Sequence, residues 1–405
     1  MLKILFIGLV WPEPTSSAAG WRILQLVKLF GKDYEVHFAS AASKSEYSYN
    51  LKSIGVQEHE ILLNDSSFDD FIKELLPAAV VFDRFMVEEQ YGWRVAEYCP
   101  STLRIVDTED LHFVRLARQE AFKKGGSIDL YSATAKREIA SIIRSDLSLI
   151  ISQAEMSLLQ NKFGVAADRL YYIPFQEEQI DERHVQNLPS FNNRSNYMFI
   201  GNFIHEPNWR TVEVLKKEIW PLLRKTNPQA ELHIYGAYAS EKVMQLHNEL
   251  ENFLIKGRAI DARATLKDYK VLLAPIPFGA GTKGKFVDAM YAGTPSMSSL
   301  VGAEDMSIEG IWNGFIENDV AKFVDKAHQL YTDESIWSSA QQNGFRIFNT
   351  KFSDTDYSDK LLNWVKDAIP RVPDIRQSNF IGQILLQQER NATKYMAMWI
   401  EAKNK

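Results

Sequence analysis

The chain has 405 residues, enough for two or three domains with large cores of their own. Apolar residues make up 45% and charged residues 24%, ordinary globular usage that excludes collagen, coiled coil and wholesale disorder. A net charge of −6 leaves no electrostatic footprint for a general nucleic-acid binder.

Residues 3–9 form an apolar run of strand length. It meets Trp11-Pro12-Glu13 rather than a small-residue cleavage site, so it reads as a buried strand and not a signal peptide. A loop over 11–20 follows, then a helix over 21–30 with Ile23, Leu24, Val27 and Leu29 on one stripe. Further strands are expected at 34–39, 79–82, 103–106 and 147–151, with helices at 68–76 and 87–98. The scheme repeats with strands at 196–201, 230–235, 253–256 and 271–274 and helices at 211–223 and from 285. Short buried strands alternating with helices indicate parallel sheets. The polar stretch 176–195 reads as a linker, which gives domains at 1–175 and 196–370. After Pro370 and Pro373 a long helix is expected over 377–403, with Phe380, Ile381, Ile384, Tyr395, Met396 and Trp399 on a stripe that docks on the body. Cys99 is the only cysteine, which excludes an internal disulfide and a Cys-based zinc site. No run approaches 18 uncharged apolar residues. The expected setting is the cytoplasm, with peripheral contact at the inner face of a membrane left open. The fold class is thus α/β: two Rossmann-like domains facing across a cleft, with a helical tail (371–405) returning to the body.

The segment 274–299 carries the densest chemistry. Gly279, Gly281 and Gly284 follow an expected strand, Lys283 and Lys285 stand among them, and a helix opens near Phe286. Glycines let backbone N–H groups approach a phosphate, and a helix N-terminus adds partial positive charge. Two lysines supply full charges, and Asp288, one turn on, can accept from ribose hydroxyls. The combination suits a nucleoside diphosphate; the plainer alternative is a Gly-rich loop with solvated lysines. On the other half, Ser17 and Gly20 lie in a strand-to-helix loop that lacks the G-x-G-x-x-G fingerprint, against a nicotinamide oxidoreductase. Asp110 and His112 follow a strand and should face the cleft, as should His205 before Pro207. The basic stretch 115–124 reads as a solvated face. The aromatic content of 12% supplies ring-stacking candidates in Trp11, Phe113, Phe203, Trp209 and Phe278.

Segment 274–299 resembles the donor-binding region of GT-B glycosyltransferases, and most of all the retaining branch known as family 4, or glycosyl transferases group 1. The matching run is Phe278-Gly279-Ala280-Gly281-Thr282-Lys283-Gly284-Lys285 with Asp288, Ala292-Gly293-Thr294-Pro295 and Val301-Gly302-Ala303-Glu304. Phe199-Ile200-Gly201 with His205-Glu206-Pro207-Asn208, Asp107–His112 with Arg115, and Ser152-Gln153-Ala154-Glu155 match other stretches of the same branch. The resemblance implies transfer of a sugar from a UDP- or GDP-sugar to an acceptor hydroxyl, with retention and without a divalent metal or other cofactor. It implies that Lys283 and Lys285 clamp the diphosphate, that Asp288 contacts the ribose, and that His112, aided by Asp110, meets the donor sugar. Gly201, Asn202, His205, Gly279, Ala280, Gly281 and Thr282 would line the donor. The implied acceptor is a glycan, a lipid-linked sugar or a protein, as in bacterial polysaccharide assembly.

Two positions depart from the pattern. Ala280 stands where the first acid of a Glu-x7-Glu pair would fall, and Asn202 stands where an Arg is common. Two alternatives follow: a nucleotide-binding or scaffold protein that has lost catalysis, or a nucleotide-sugar epimerase on the same fold. An acidic metal motif at Asp107–Asp110, as in single-domain enzymes, is the remaining reading.

Overall fold

The computed structural model describes residues 1–353 and 356–404, with the backbone alone at 389–391. Two parallel sheets form the core of the molecule. The first runs in the order β3-β2-β1-β4-β5-β6-β7. Its strands are β1 (Lys3–Gly8), β2 (Glu35–Ser40), β3 (Gln57–Glu60), β4 (Ala79–Asp83), β5 (Leu103–Asp107), β6 (Leu147–Ile150) and β7 (Leu170–Tyr172). The second runs β10-β9-β8-β11-β12-β13. Its strands are β8 (Ser195–Ile200), β9 (Leu232–Tyr235), β10 (Phe253–Gly257), β11 (Tyr269–Ala274), β12 (Ser296–Ser298) and β13 (Gly314–Ile316). The central strands are mostly apolar because helices cover both faces, as at β4 and β5, where every residue is buried and the charged ones, such as Arg104 beside Asp146, have partners.

Strands outside the expected set have physical reasons to be quiet in sequence. β3 reads Gln-Glu-His-Glu because it is an edge, and its His59 pairs with His37 at 2.9 Å. β12 and β13 have three residues each, too few for a pattern. The expected helix 211–223 starts earlier, at Glu206 with Pro207 in its first turn. It continues as a π-helical turn, Leu215–Ile219, before a further helix Trp220–Thr226. Pro221 has no N–H to donate back, so the ladder widens just ahead of it.

The return to the first domain comes sooner than the Pro370 break. The helix Asp356–Ala368 already places Leu361, Leu362, Val365 and Ala368 in the core built by Phe6, Leu26 and Val36. The final helix Phe380–Asn404 then packs on the helices Phe85–Tyr98 and Ala133–Arg144. It docks by a different side from the expected stripe. Gly382 and Ala397 are buried, while Phe380, Ile381, Tyr395, Met396 and Trp399 are exposed. Small residues let this helix come close: a Cβ at Gly382 would lie 2.5 Å from the Ile143 carbonyl. Polar ties hold it, with Lys394 on Glu97 at 2.8 Å and Arg376, just before it, on Asp146 at 2.7 Å. No helix among the described residues is long and apolar enough to cross a membrane.

The crossing makes a testable demand. Leu361→Ala should cost about 2–5 kcal/mol of stability. Hydrogen exchange should then quicken in β1 and β2 of the first sheet while β8 and β11 of the second hold. A loss confined to the second sheet would contradict the packing.

Candidate active site

A cavity of about 910 Å³ lies between the domains at the carboxyl ends of both sheets, where ligands of such sheets bind. The first domain supplies the loop after β1, Asp83 and Arg84 after β4, and Glu109 to His112 after β5. The second supplies Gly201, Asn202 and His205 after β8, Arg258 to Arg263 after β10, and Ala280 to Asp288 after β11. Two helices, Ala18–Phe30 and Gly284–Tyr291, bring their N-termini together at this cleft. A Cβ on Gly284 would come 2.7 Å from the Ala18 Cβ, so glycine is what permits the approach. Opposed helix N-termini favour an anion between them.

Lys283 and Lys285 sit at that point. The Lys283 Nζ donates to the Gly281 carbonyl at 2.8 Å, and the Lys285 Nζ donates to Asn208 Oδ1 at 2.8 Å. Burial lowers the Lys283 pKa to about 8, against the pull of Glu304 and Glu155. Burial and the neighbouring Lys283 lower Lys285 to about 8. Both ammonium groups are therefore held by neutral oxygens in a site short of anions. Asp288 lies on the same wall, its Oδ1 accepting from Arg263 Nε at 2.8 Å, while Arg263 reaches Glu177 at 2.9 Å. Burial raises the Asp288 carboxyl and Arg263 opposes the rise.

Across the cleft His112 is the first residue of the helix His112–Lys124. Its backbone N–H and that of Phe113 donate to the buried Glu138 at 3.0 and 2.8 Å, and the Leu111 N–H donates to Glu155 at 2.9 Å. Carboxylates thus cap this helix from within the core. The His112 Nδ1 stands 3.3 Å from Asp110 Oδ1, and Arg115 Nε donates to Asp110 Oδ2 at 2.7 Å. Burial would raise the Asp110 carboxyl, but Arg115 and His112 hold it well below the usual range. His205 is kept neutral, lowered to about 3 by burial and by Arg115.

Of the residues singled out in sequence, Ser17, Gly20, Asp110, His112, Gly201, Asn202, His205, Ala280, Thr282, Lys283, Lys285 and Asp288 border the cavity. Several of the residues singled out in sequence have partners within the protein. The Ser17 Oγ accepts from the Gly20 N–H at 3.0 Å, so the two cap a helix and satisfy each other. Gly279 and Gly281 turn to the first domain instead of the cavity. The Gly279 carbonyl accepts from Arg118 at 2.7 Å, and the Gly281 N–H donates to Glu155 at 2.8 Å. Gly201 makes room for Asn208, whose Cγ a Cβ would meet at 2.6 Å. Asn208, which the sequence offered only as part of a matching run, is what holds Lys285. Of the ring candidates only Trp11 borders the cavity, and its Nε1 donates to Ala42 at 2.7 Å; Phe113, Phe203, Trp209 and Phe278 are buried in packing. Trp21, Tyr49 and Tyr238 border it instead.

The stretch 115–124, expected as a solvated face, also makes a domain contact, while Lys124 stays exposed. Arg118 grips Glu304 of the second domain through two bonds of 2.7 Å, and Lys123 reaches Glu206 at 3.1 Å. Asp107 is clamped by the buried Arg22 at 2.7 Å, which removes it from any ligand set at the cleft. Among the described residues, no group of three or more His, Cys, Asp or Glu is arranged to hold a metal ion.

Comparison with known proteins bears on the fold. Residues 194–333 match the model of the family described as glycosyl transferases group 1. The fold is GT-B. A variant of S. aureus TarM in complex with fondaparinux, alpha-GlcNAc-glycerol and UDP aligns with a TM-score of 0.57 and 16% identity. That alignment covers 73% of this chain, which spans 58% of the TarM chain. HepE of Anabaena in complex with UDP aligns with a TM-score of 0.65 and 14% identity, over 90% of this chain and 100% of that one. The pneumococcal O-GlcNAc transferase GtfA, in complex with UDP and GlcNAc, gives 0.64 and 12%, over 91% and 99%. No curated protein matches the chain by sequence. In the GT-B frame the glycine loop and its lysines belong to the second domain and the His112 loop to the first.

The buried lysines have a thermodynamic signature. Each folded-state pKa lies below the ordinary 10.5, so the cost of burying the charge is present below pH 8 and fades as pH rises toward 10.5. Lys285→Met should raise stability at pH 7 by about 1 kcal/mol. The gain should shrink by pH 10. Thermal melts of both proteins across this range check it, and a gain that grows with pH would contradict it.

Proposed function

We propose that this chain transfers a sugar from a nucleoside-diphosphate sugar to an acceptor hydroxyl with retention of anomeric configuration, as a hexosyltransferase that needs no divalent metal. The observation that carries this reading is the meeting of Lys283, Lys285 and two helix N-termini in one cavity where Asp288 also lies. The bond from the anomeric carbon to the phosphate oxygen breaks as the acceptor oxygen bonds to the same face. The acceptor proton passes to the departing phosphate oxygen. Negative charge then grows on the diphosphate, where preorganised positive groups lower the barrier without moving. On this reading Asp288, fixed by Arg263, contacts the ribose diol. His112, steadied by Asp110, meets the donor sugar.

UDP is the first nucleotide to test, since TarM, HepE and GtfA each hold it. On this reading the acceptor side is the first domain, and the acceptor is a glycan, lipid-linked or protein hydroxyl, as in bacterial polysaccharide assembly. Ala280 supplies no acid at the cavity wall, which favours one rival: a nucleotide-binding protein without turnover.

A thermal-shift screen with UDP, GDP and their sugars should show stabilisation by mass action. The double variant Lys283→Ala/Lys285→Ala should stay folded and lose about 100-fold or more in transfer and donor hydrolysis. Proton coupling at the product's anomeric carbon, read by NMR, reports retention. Undiminished turnover in the double variant would sink the assignment, and nucleotide binding without turnover on a broad donor panel would favour the rival.

A further inference from the structure

Glu155 stands in a sequence context that points to a different role from the one it plays. Ser152 caps the helix Gln153–Phe163, its Oγ accepting from the Glu155 N–H at 3.4 Å. In such an S-x-x-E box the glutamate ordinarily returns to the capping residue's N–H. Here its side chain leaves the helix. Glu155 Oε1 accepts from the Leu111 N–H at 2.9 Å and from the Gly281 N–H at 2.8 Å. Leu111 immediately precedes His112 on the first domain. Gly281 lies two residues before Lys283 on the second. One buried oxygen therefore joins the two loops that carry the candidate chemistry. Glu155 is 4% exposed, and its Oε2 is buried with no hydrogen-bond partner among the described residues.

The surroundings allow little slack. Gly281 has φ of +62°, and a Cβ on it would come 2.9 Å from the Asp110 Cβ. Asp110 and Glu138 of the first domain, Arg22 of its first helix and Lys283 of the second domain are the charged groups that act on Glu155. Burial and Asp110 push the carboxyl up to about 8, against the Leu111 N–H and Lys283. At neutral pH the group is thus mostly uncharged, and the two amides need only a carbonyl-type oxygen.

We propose that Glu155 is a positioning residue that fixes the His112 loop of the first domain against the Lys283 loop of the second, so that both walls of the cleft are aligned by one group. It touches no reacting atom. The proposal rests on the transferase reading only for its kinetic consequence.

The experiment is hydrogen–deuterium exchange on the full chain without ligand, followed over segments 109–113 and 279–284. Glu155→Asp, one methylene too short to serve both amides, should exchange at least tenfold faster in both segments. Glu155→Ala should do the same. Glu155→Gln, which keeps the accepting oxygen, should restore the wild-type protection. The Asp and Gln pair decides the matter if the alanine variant does not fold. Calorimetry with UDP supplies the second arm: about tenfold weaker binding for the Asp variant and binding within threefold of wild type for the Gln variant. Faster exchange in one segment only, wild-type exchange in the Asp variant, or failure of Gln to rescue would overturn the proposal. Absence of UDP binding by the wild type, with the exchange pattern intact, would overturn the UDP reading while leaving the positioning role standing.

Discussion

Two ammonium groups are buried where no carboxylate neutralises them, and much of the cleft is arranged around that fact. An amine in low dielectric resists its charge, which is why Lys283 and Lys285 fall to about 8. The nearest full carboxylates are engaged elsewhere. Asp110 is taken up by Arg115 and His112, Asp288 by Arg263, and Glu304 by Arg118. Each acid has its own cation, so the lysines are left with the Gly281 carbonyl and the Asn208 amide. A multiply charged anion entering the cavity would restore what folding withholds. The burial of these two charges costs stability, which fits the proposed role of the cleft in binding an anion.

One of these pairs and several further contacts tie the domains together. Arg118 joins Glu304, Ser152 and the Gln153 N–H share Asp305, and Arg258 reaches Ser16 at 2.5 Å. Arg263 links Asp288 to Glu177 on the stretch between the domains. Interfaces of this polar kind are weaker than a continuous apolar core and are compatible with relative domain movement. Among these groups Arg118 does both: it joins the domains and takes Glu304 away from Lys283.

Much of this was legible in the chain and some was not, for definable reasons. The central strands were readable because burial on both faces demands mostly apolar residues, as in residues 79–82 and, apart from Arg104, 103–106. β3 was silent because an edge needs no apolar side, and the tail's docking face was misread because it is made of Gly382 and Ala397 rather than of large residues. The lysines and glycines of the donor loop announce themselves by local spacing. Their partners do not: Asn208 lies 77 positions from Lys285, and Glu155 lies 126 from Gly281. Local spacing cannot reveal such long-range contacts. The contact made by the basic helix face was hidden for the same reason, since Glu304 lies 186 positions from Arg118.

Ala280 shows how a departure from a pattern is absorbed. Its side chain packs partly buried against the first-domain cluster that holds Leu111 and Phe113, directly between the Arg118 contact at Gly279 and the Glu155 contact at Gly281. An acid at this position would be pressed against apolar neighbours and set beside Glu155, a group already kept from ionising by burial and by Asp110. A second carboxylate there would raise both acids or pull Lys283 into an ion pair, and the second outcome would offset the positive charge at the proposed diphosphate site. With alanine, the loop instead gives its backbone to the other domain, the Gly279 carbonyl to Arg118 and the Gly281 N–H to Glu155. The missing acid and the unexpected glutamate contact are therefore two sides of one arrangement, in which a contact between domains takes the place of a side chain within one.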